Sequence, residues 1–315
     1  MSSLRSDLIA CIGDNCIDVS LPGPGCSDRD GVPALVPASG RAPAELPGGN
    51  AFNVATVVAR TGLRTAYLGA VGDDRAADMI LEAGVSAGVD MSRVARIDGP
   101  TGRTVVARND HGERQFVSED YGAAALYRLD DETVDWLTRA RWLHFARQPD
   151  LADHADRLRS RGAEISCDIG YSGGLRELAA AVVSLDVAFM SASAEPGMLA
   201  EEMLEHALRA GAALAVVTLG AAGSIASDGG PRWSADAVAV APVVDTLGAG
   251  DAYIGAFIAA RIEGAGVEHA MQAGARAGAA ACTQWGLAGL LEADMVPATG
   301  DSPAAQLTVN EEEAV

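Results

Sequence analysis

Asp251 stands at the start of a predicted helix, directly after the turn Gly248-Ala249-Gly250. The turn itself follows Val244-Asp245-Thr246-Leu247, and the helix runs on through Ala252-Tyr253-Ile254-Gly255-Ala256-Phe257. Glycines let several backbone N–H groups converge on one point, because no side chain is in the way. The first turn of a helix adds its own unpaired N–H groups and the positive end of its dipole, so the place suits an anion, typically phosphate. A carboxylate beside a bound phosphate repels it, and Asp251 therefore has two readings. One is a helix N-cap. The other is a general base that takes a proton from a hydroxyl, while the N–H groups of Gly248, Ala249 and Gly250 hold the phosphoryl group under attack.

Such a turn needs a strand before it and a helix after it. The small and β-branched run over residues 237–243 predicts a buried strand, and residues 251–261 carry apolar groups at helical spacing. Near the other end of the chain, residues 8–12 predict a first core strand ending at Gly13-Asp14-Asn15, and Ile17-Asp18-Val19 alternates like a half-buried strand. In open α/β sheets ligands bind beyond the carboxyl ends of strands, which makes Asp14, Asn15 and Asp18 candidate substrate contacts. Turn chemistry or capping explains them equally simply. Residues 21–47 are rich in Pro and Gly and predict an excursion from the main sheet. Gly48-Gly49-Asn50 opens a helix, residues 64–71 predict a strand, and residues 76–87 a helix closed by Gly88. Residues 102–107 and 114–117 predict a hairpin around Asn109-Asp110-His111-Gly112.

From Asp130 onward helix and strand patterns alternate. Helices are predicted over 132–140, 151–161, 175–185 and 195–210, and strands over 141–145, 164–168, 187–190 and 213–219. This βαβα rhythm implies an α/β protein with a mostly parallel sheet and helices on both faces. A small-residue helix is predicted over 266–285. Residues beyond about 294 form a polar tail with Glu311-Glu312-Glu313, expected to be disordered.

The segment Asp245-Thr246-Leu247-Gly248-Ala249-Gly250-Asp251 resembles the C-terminal signature of the ribokinase-like (PfkB) carbohydrate kinases. Gly48-Gly49-Asn50-Ala51-Phe52-Asn53-Val54-Ala55, with Leu63 and Gly69-Ala70-Val71-Gly72-Asp73-Asp74, resembles the N-terminal one. Two motifs in the right order are more specific than either alone, and the resemblance extends over about residues 7 to 290. It implies one ribokinase-like domain over 1–294, with a small β-lid from about 17–47 and 100–122, then the tail at 295–315. It further implies that Asp14 or Asp18 bonds sugar hydroxyls and that Gly49, Asn50 and Asn53 form the floor of the sugar site. Thr218-Leu219-Gly220-Ala221-Ala222-Gly223 resembles the family's nucleotide loop, which implies roles for Thr218, Gly220 and Gly223. Glu195 falls where the family carries a glutamate that organises Mg²⁺ through water. Ala192 replaces the asparagine of that motif, so Ser191 or Ser193 is a candidate to take part. Asp245 matches a position that binds a monovalent cation, such as K⁺, in some relatives. Asp168, at a predicted strand end, is a further candidate for metal or substrate.

Composition prunes alternatives. The chain has 315 residues, is 49% hydrophobic and carries a net charge of −20, a poor match to nucleic acid or anionic lipid. All 23 basic residues are arginines; there is no lysine. That removes a Walker A loop, a protein-kinase lysine and lysine Schiff-base chemistry. Phosphates of ATP must be held by backbone amides, arginine and Mg²⁺. The 5 cysteines include no C-x-x-C pair and read as free thiols of a reducing cytoplasm. No signal peptide or membrane span is expected, and no G-x-G-x-x-G follows the first strand.

For the acceptor, Ile12-Gly13-Asp14-Asn15-Cys16-Ile17-Asp18, the Gly49-Asn50 helix start and Phe189-Met190-Ser191-Ala192-Ser193 are similar to bacterial fructoselysine 6-kinases, as are Trp136 and Trp142-Leu143-His144. A fructosamine carries a cationic amine, for which Glu113, Glu119 and Asp120 of the lid are candidates. Arg108, Arg114 and His111 are further lid candidates for a polar substrate. Ribokinase, fructokinase and 2-keto-3-deoxygluconate kinase are alternatives, and a non-catalytic sugar or nucleoside sensor is a remote one. A homodimer through the lid is expected, since an exposed sheet has edges to cover.

Overall fold

The computed structural model describes residues 7–24, 44–108, 114–146, 148, 150–169, 185–192 and 199–284. In chain order its strands are β1 (Ile9–Gly13), β2 (Cys16–Pro24), β3 (Ala44–Gly48), β4 (Thr65–Leu68), β5 (Ala70–Val71), β6 (Ala95–Arg96), β7 (Thr101–Arg108), β8 (Arg114–Gly122), β9 (Trp142–Ala146), β10 (Glu164–Asp168), β11 (Val187–Ser191), β12 (Leu214–Thr218), β13 (Ser224–Ser227) and β14 (Arg232–Ala235). The helices are α1 (Asn50–Arg60), α2 (Arg75–Ser86), α3 (Asp131–Leu137), α4 (Leu151–Arg159), α5 (Ala200–Ala210), α6 (Ala249–Ile262) and α7 (Val267–Ala281).

The main sheet has eight strands in the order β14-β13-β12-β11-β10-β9-β1-β4. From β4 to β12 every pairing is parallel, and β13 and β14 add an antiparallel edge. Side chains alternate between its faces. Ile9 and Cys11 of β1 join one core, with residues of α1, α2, α6 and α7, while Ala10 and Ile12 join the other, with residues of α3, α4 and α5. Helices on both faces explain the continuous apolar runs of these strands. The chain steps from β1 outward to β4, then returns to β9 on the other side of β1. That reversal opens a crevice at the carboxyl ends of β1, β9 and β10, the usual ligand position in such sheets.

A second sheet, β3-β2-β7-β8, stands apart from the first. Its β2–β3 and β7–β8 pairs are antiparallel and β2–β7 is parallel. Its strands lie at Cys16–Pro24, Ala44–Gly48, Thr101–Arg108 and Arg114–Gly122, longer than the sequence pattern shows.

Two expectations need correction. Residues 237–243 form no strand: Val238 is 44% and Val243 58% exposed. Pro242 has no N–H for a ladder, and the sheet edge is already taken by the β13–β14 hairpin, which the apolar pattern does not reveal. The single strand expected over 64–71 is two strands, broken at Gly69, where the chain turns so that β5 can pair with β6. The helix expected over 175–185 reaches the described residues only at its last position, and the tail lies outside them.

Candidate active site

Helix α6 is apolar on every side, and its residues from Asp251 to Ala260 are buried. A helix of that kind belongs between other elements, and it packs against α1 and α7. Contact with α1 is close because Gly255 leaves room: a Cβ there would lie 2.3 Å from Val57 Cγ1. The two helices that carry the sequence signatures are therefore neighbours. Asn53 of α1 donates from Nδ2 to Asp251 Oδ2 at 2.7 Å.

Gly248 precedes α6 with φ +79°, a left-handed conformation natural to glycine. Ala252 N–H bonds to Gly248 O at 2.8 Å and opens the helical ladder. Ala249 N–H bonds Thr246 O at 3.3 Å, and the N–H groups of Gly250 and Asp251 belong to the first turn and have no intrahelical i−4 acceptor. A Cβ built on Gly250 meets no atom within 4 Å, so the open space of the turn lies beside its backbone.

The opposite side is built on the other sequence signature. Asp14, directly after β1, accepts from Asn50 N–H at 3.3 Å and Ala51 N–H at 3.2 Å, and so caps α1. Gly49, the N-cap residue of α1, has φ +104°, and a Cβ on it would lie 2.4 Å from Asn15 Cα. Asn50 Nδ2 donates to Asp168 Oδ2, at the end of β10, at 3.1 Å. Asp18 of β2 accepts from Cys16 Sγ at 3.3 Å. Asn15 is fully buried: its Nδ2 donates to Tyr67 Oη and Ala70 O, and its Oδ1 has no hydrogen-bond partner among the described residues.

These groups meet electrostatically at Asp251. The residue is 7% exposed. Burial pushes its pKa well above the usual carboxylate range, the Asn53 bond opposes this, and the carboxylates of Asp168, Asp14 and Asp18 add to the rise. The shift moves Asp251 toward the range where a general base works at neutral pH.

The register of the small sheet sorts its acidic residues. Asp18 pairs with Thr104 and Thr104 with Glu119, so these three share one face. Asp120 pairs with Arg103 on the opposite face, where Arg103 bonds Glu45 at 3.0 Å, and Asp120 Oδ1 itself accepts from Gly122 N–H at 2.9 Å. Glu119 is thus on the side of Asp18, and Asp120 is not.

On the other flank, Thr218 ends β12, and the turn Gly220–Ala222 follows. Thr218 Oγ1 donates to Met190 O at 3.3 Å. Gly220 has φ +59° and open space at its Cα, so it offers bare backbone to a ligand. Gly223 has a packing reason as well: a Cβ there would lie 2.2 Å from Ala235 O. Asp245 is buried, and its Oδ1 accepts from Leu247 N–H at 3.2 Å, which shapes the turn leading into Gly248. Among the described residues no group of three or more His, Cys, Asp and Glu converges as a metal cage. Mg²⁺ held largely by nucleotide phosphates needs only one or two carboxylates, and of the described ones Asp168, at the end of β10, would supply one. Glu195, Ser193, His111 and Glu113 lie outside the described residues, as do the side chains of Arg108 and Arg114.

A sequence profile for "pfkB family carbohydrate kinase" matches residues 6–294. The chain belongs to this family. It is a carbohydrate kinase with a ribokinase-like α/β fold. The kinase is 32% identical over 266 residues to a Shigella flexneri protein named "Fructoselysine 6-kinase", with 84% of this chain and 94% of that protein covered. It is 28% identical over 246 residues to a Bacillus subtilis protein named "Fructosamine kinase FrlD", covering 77% of this chain and 86% of that one. A solved Arabidopsis thaliana ribokinase, described as complexed with ribose and ATP, superposes with TM-score 0.78 at 22% identity, covering 91% of the kinase and 96% of that chain. Ribokinase-like kinases in general use ATP and Mg²⁺. No helix among the described residues of the kinase is long and apolar enough to cross a membrane.

Sequence reasoning missed two residues of the kinase near this site, Tyr67 and Ser224. The signal for Tyr67 was a single polar-tipped aromatic in an aliphatic strand, two residues before a glycine.

Proposed function

We propose that this kinase transfers the γ-phosphoryl group of ATP to a primary hydroxyl of a fructosamine such as fructoselysine, at the 6-position. The observation that carries the acceptor class is the set of carboxylates around the base. The charged neighbours that act most strongly on Asp251 are Asp168, Asp14 and Asp18, all acidic. Glu119 adds a carboxylate on the lid face that bears Asp18. A cationic amine gains from such surroundings, and an anionic acceptor such as 2-keto-3-deoxygluconate is repelled. The names of the Shigella and Bacillus relatives agree with this reading.

When bound, Mg-ATP supplies the phosphoryl group, with Mg²⁺ offsetting part of its charge. The N–H groups at Gly248, Gly250 and Asp251 face the charge that develops during transfer, while that of Ala249 is held by Thr246 O and shapes the turn. Asn53 holds Oδ2 of Asp251, which leaves Oδ1 to take the proton of the acceptor hydroxyl. Asp14, Asn50 and Asp18 orient the sugar, and the small sheet acts as a lid that keeps out water, a competing acceptor. Thr218 and Gly220 line the nucleotide side. Asp245 positions the turn, and replacing K⁺ by tetramethylammonium in the assay tests its cation role.

The test is ADP release with Mg-ATP across fructoselysine, fructose, ribose, 2-keto-3-deoxygluconate and adenosine. Fructoselysine is expected to give the highest kcat/KM. In Glu119→Gln its KM should rise about five- to tenfold, the range of one charge-assisted hydrogen bond, with the KM for fructose within about twofold of wild type. Asp120→Asn, on the opposite face, should change neither. Equal effects of Glu119→Gln on fructose and fructoselysine, or a higher kcat/KM on a neutral or anionic acceptor, would sink the fructosamine reading.

A further inference from the structure

Two tyrosine hydroxyls lie buried behind the site, one behind each half, and neither takes part in the proton transfer. Tyr67 of β4 is fully buried. Its hydroxyl donates to Gly13 O at 2.8 Å and accepts from Asn15 Nδ2 at 2.9 Å. The amide of Asn15 also donates to Ala70 O at 2.7 Å. Gly13 and Asn15 flank Asp14, so one phenol grips the chain on both sides of the residue that caps α1. The same peptide leads straight into β2, the first strand of the lid. Room for the hydroxyl exists because residue 69 is glycine: a Cβ there would lie 2.3 Å from Tyr67 Oη.

Tyr253 stands two residues after Asp251, and its hydroxyl lies 2.9 Å from Ser224 Oγ. Both residues are buried, at 5% and 2% exposure. Ser224 directly follows Gly223, at the end of the nucleotide turn. This bond therefore ties the catalytic helix to that turn. Its geometry is fixed from behind by Gly274 of α7, where a Cβ would lie 2.8 Å from the Tyr253 ring.

We infer that Tyr67 and Tyr253 are positioning residues for the two substrates: Tyr67 for the acceptor, through Asp14, and Tyr253 for the nucleotide, through residues 220–223. The inference rests on the kinase reading of the site. Its physical basis is that a buried polar group left without a partner drives local rearrangement. Without the Tyr67 hydroxyl, Gly13 O and one Asn15 hydrogen lose their partner, and the Asp14 peptide is the part that can shift. Without the Tyr253 hydroxyl, Ser224 loses its partner at the edge of the nucleotide turn. In both cases phenylalanine keeps the ring packing.

The experiment is equilibrium titration of the full chain with two ligands. One is the acceptor with the highest kcat/KM in the panel above; the other is the non-hydrolysable analogue AMP-PNP with Mg²⁺. Wild type, Tyr67→Phe and Tyr253→Phe are compared, with steady-state KM and thermal midpoints in parallel. Tyr67→Phe should raise the acceptor Kd about fivefold, with the AMP-PNP Kd within about twofold of wild type, and Tyr253→Phe should do the reverse. Asn15→Ala and Ser224→Ala cut the same links from the other end, and should reproduce the respective splits where a phenylalanine variant folds poorly. A lowered thermal midpoint with both Kd values unchanged, or with both raised alike, marks a merely structural role and overturns the inference. Wild type binding neither ligand overturns the kinase reading itself, and the inference with it.

Discussion

Replacing Asp251 by asparagine should abolish transfer and, at neutral pH, stabilise the fold. The catalytic part follows from losing a general base, a loss of about 10²–10⁴-fold in kcat. The stability part follows from burial. Asp251 is 7% exposed, has the Asn53 amide as a donor, and faces the carboxylates of Asp168, Asp14 and Asp18. Its pKa is therefore higher in the folded chain than in the unfolded one, where an aspartate titrates at about 3.9. A carboxyl with a raised folded pKa binds its proton more tightly when folded. Its contribution to stability is complete below the unfolded value and is lost as pH rises through the folded value. Between the two values the loss amounts to about 1.4 kcal/mol per pH unit. The amide of the Asp251→Asn variant has no proton to lose and is free of this slope. The assay is thermal or urea unfolding of wild type and Asp251→Asn at intervals from about pH 4 to about pH 8, with ADP release alongside. The stability difference in favour of Asp251→Asn should grow with pH and level off at the folded pKa, which the curve thereby measures. A difference that stays flat across that range would refute the burial argument. More than about a tenth of wild-type kcat in the variant would refute the base.

Asn53→Ala removes the bond that holds the Asp251 pKa down, so the acid limb of the kcat/KM–pH profile should move to higher pH; an unmoved limb means the bond does not act on the base. Gly250→Ala should leave the thermal midpoint unchanged or slightly raised, because the Cβ meets open space and alanine favours helix by up to about 1 kcal/mol. It should nevertheless lower kcat/KM for ATP by about tenfold or more by intruding on the anion site. Gly255→Ala drives a Cβ into Val57 and should cost about 1–3 kcal/mol in urea unfolding, with a fall in kcat as the Asn53–Asp251 contact is disturbed.

The family and the α/β architecture were legible because both depend on local order in the sequence. Apolar runs of about five residues alternating with helical spacing dictate buried parallel strands under helices, and the described elements β9, α4, β10, β11, α5 and β12 follow that pattern. The stretch over 237–243 misled for a related reason. Apolar composition alone does not say whether a hydrogen-bonding edge is available, and the β13–β14 hairpin had already taken it.

The residue types of the site were likewise set by the sequence: a glycine turn ahead of Asp251, a glycine-led helix with Asn50 and Asn53, and Asp14 at a strand end. Which of them meet was decided only by tertiary packing. Asn53 and Asp251 are 198 residues apart in the chain, and they touch because Gly255 lets α1 and α6 approach. The choice between Glu119 and Asp120 is a matter of strand register, since a shift of one residue exchanges the faces of a sheet. The raised pKa of Asp251 exists only in the fold, because desolvation requires the surrounding helices to exclude water. Sequence thus determined which chemistry was present, and packing determined which groups face each other and how strongly burial alters them.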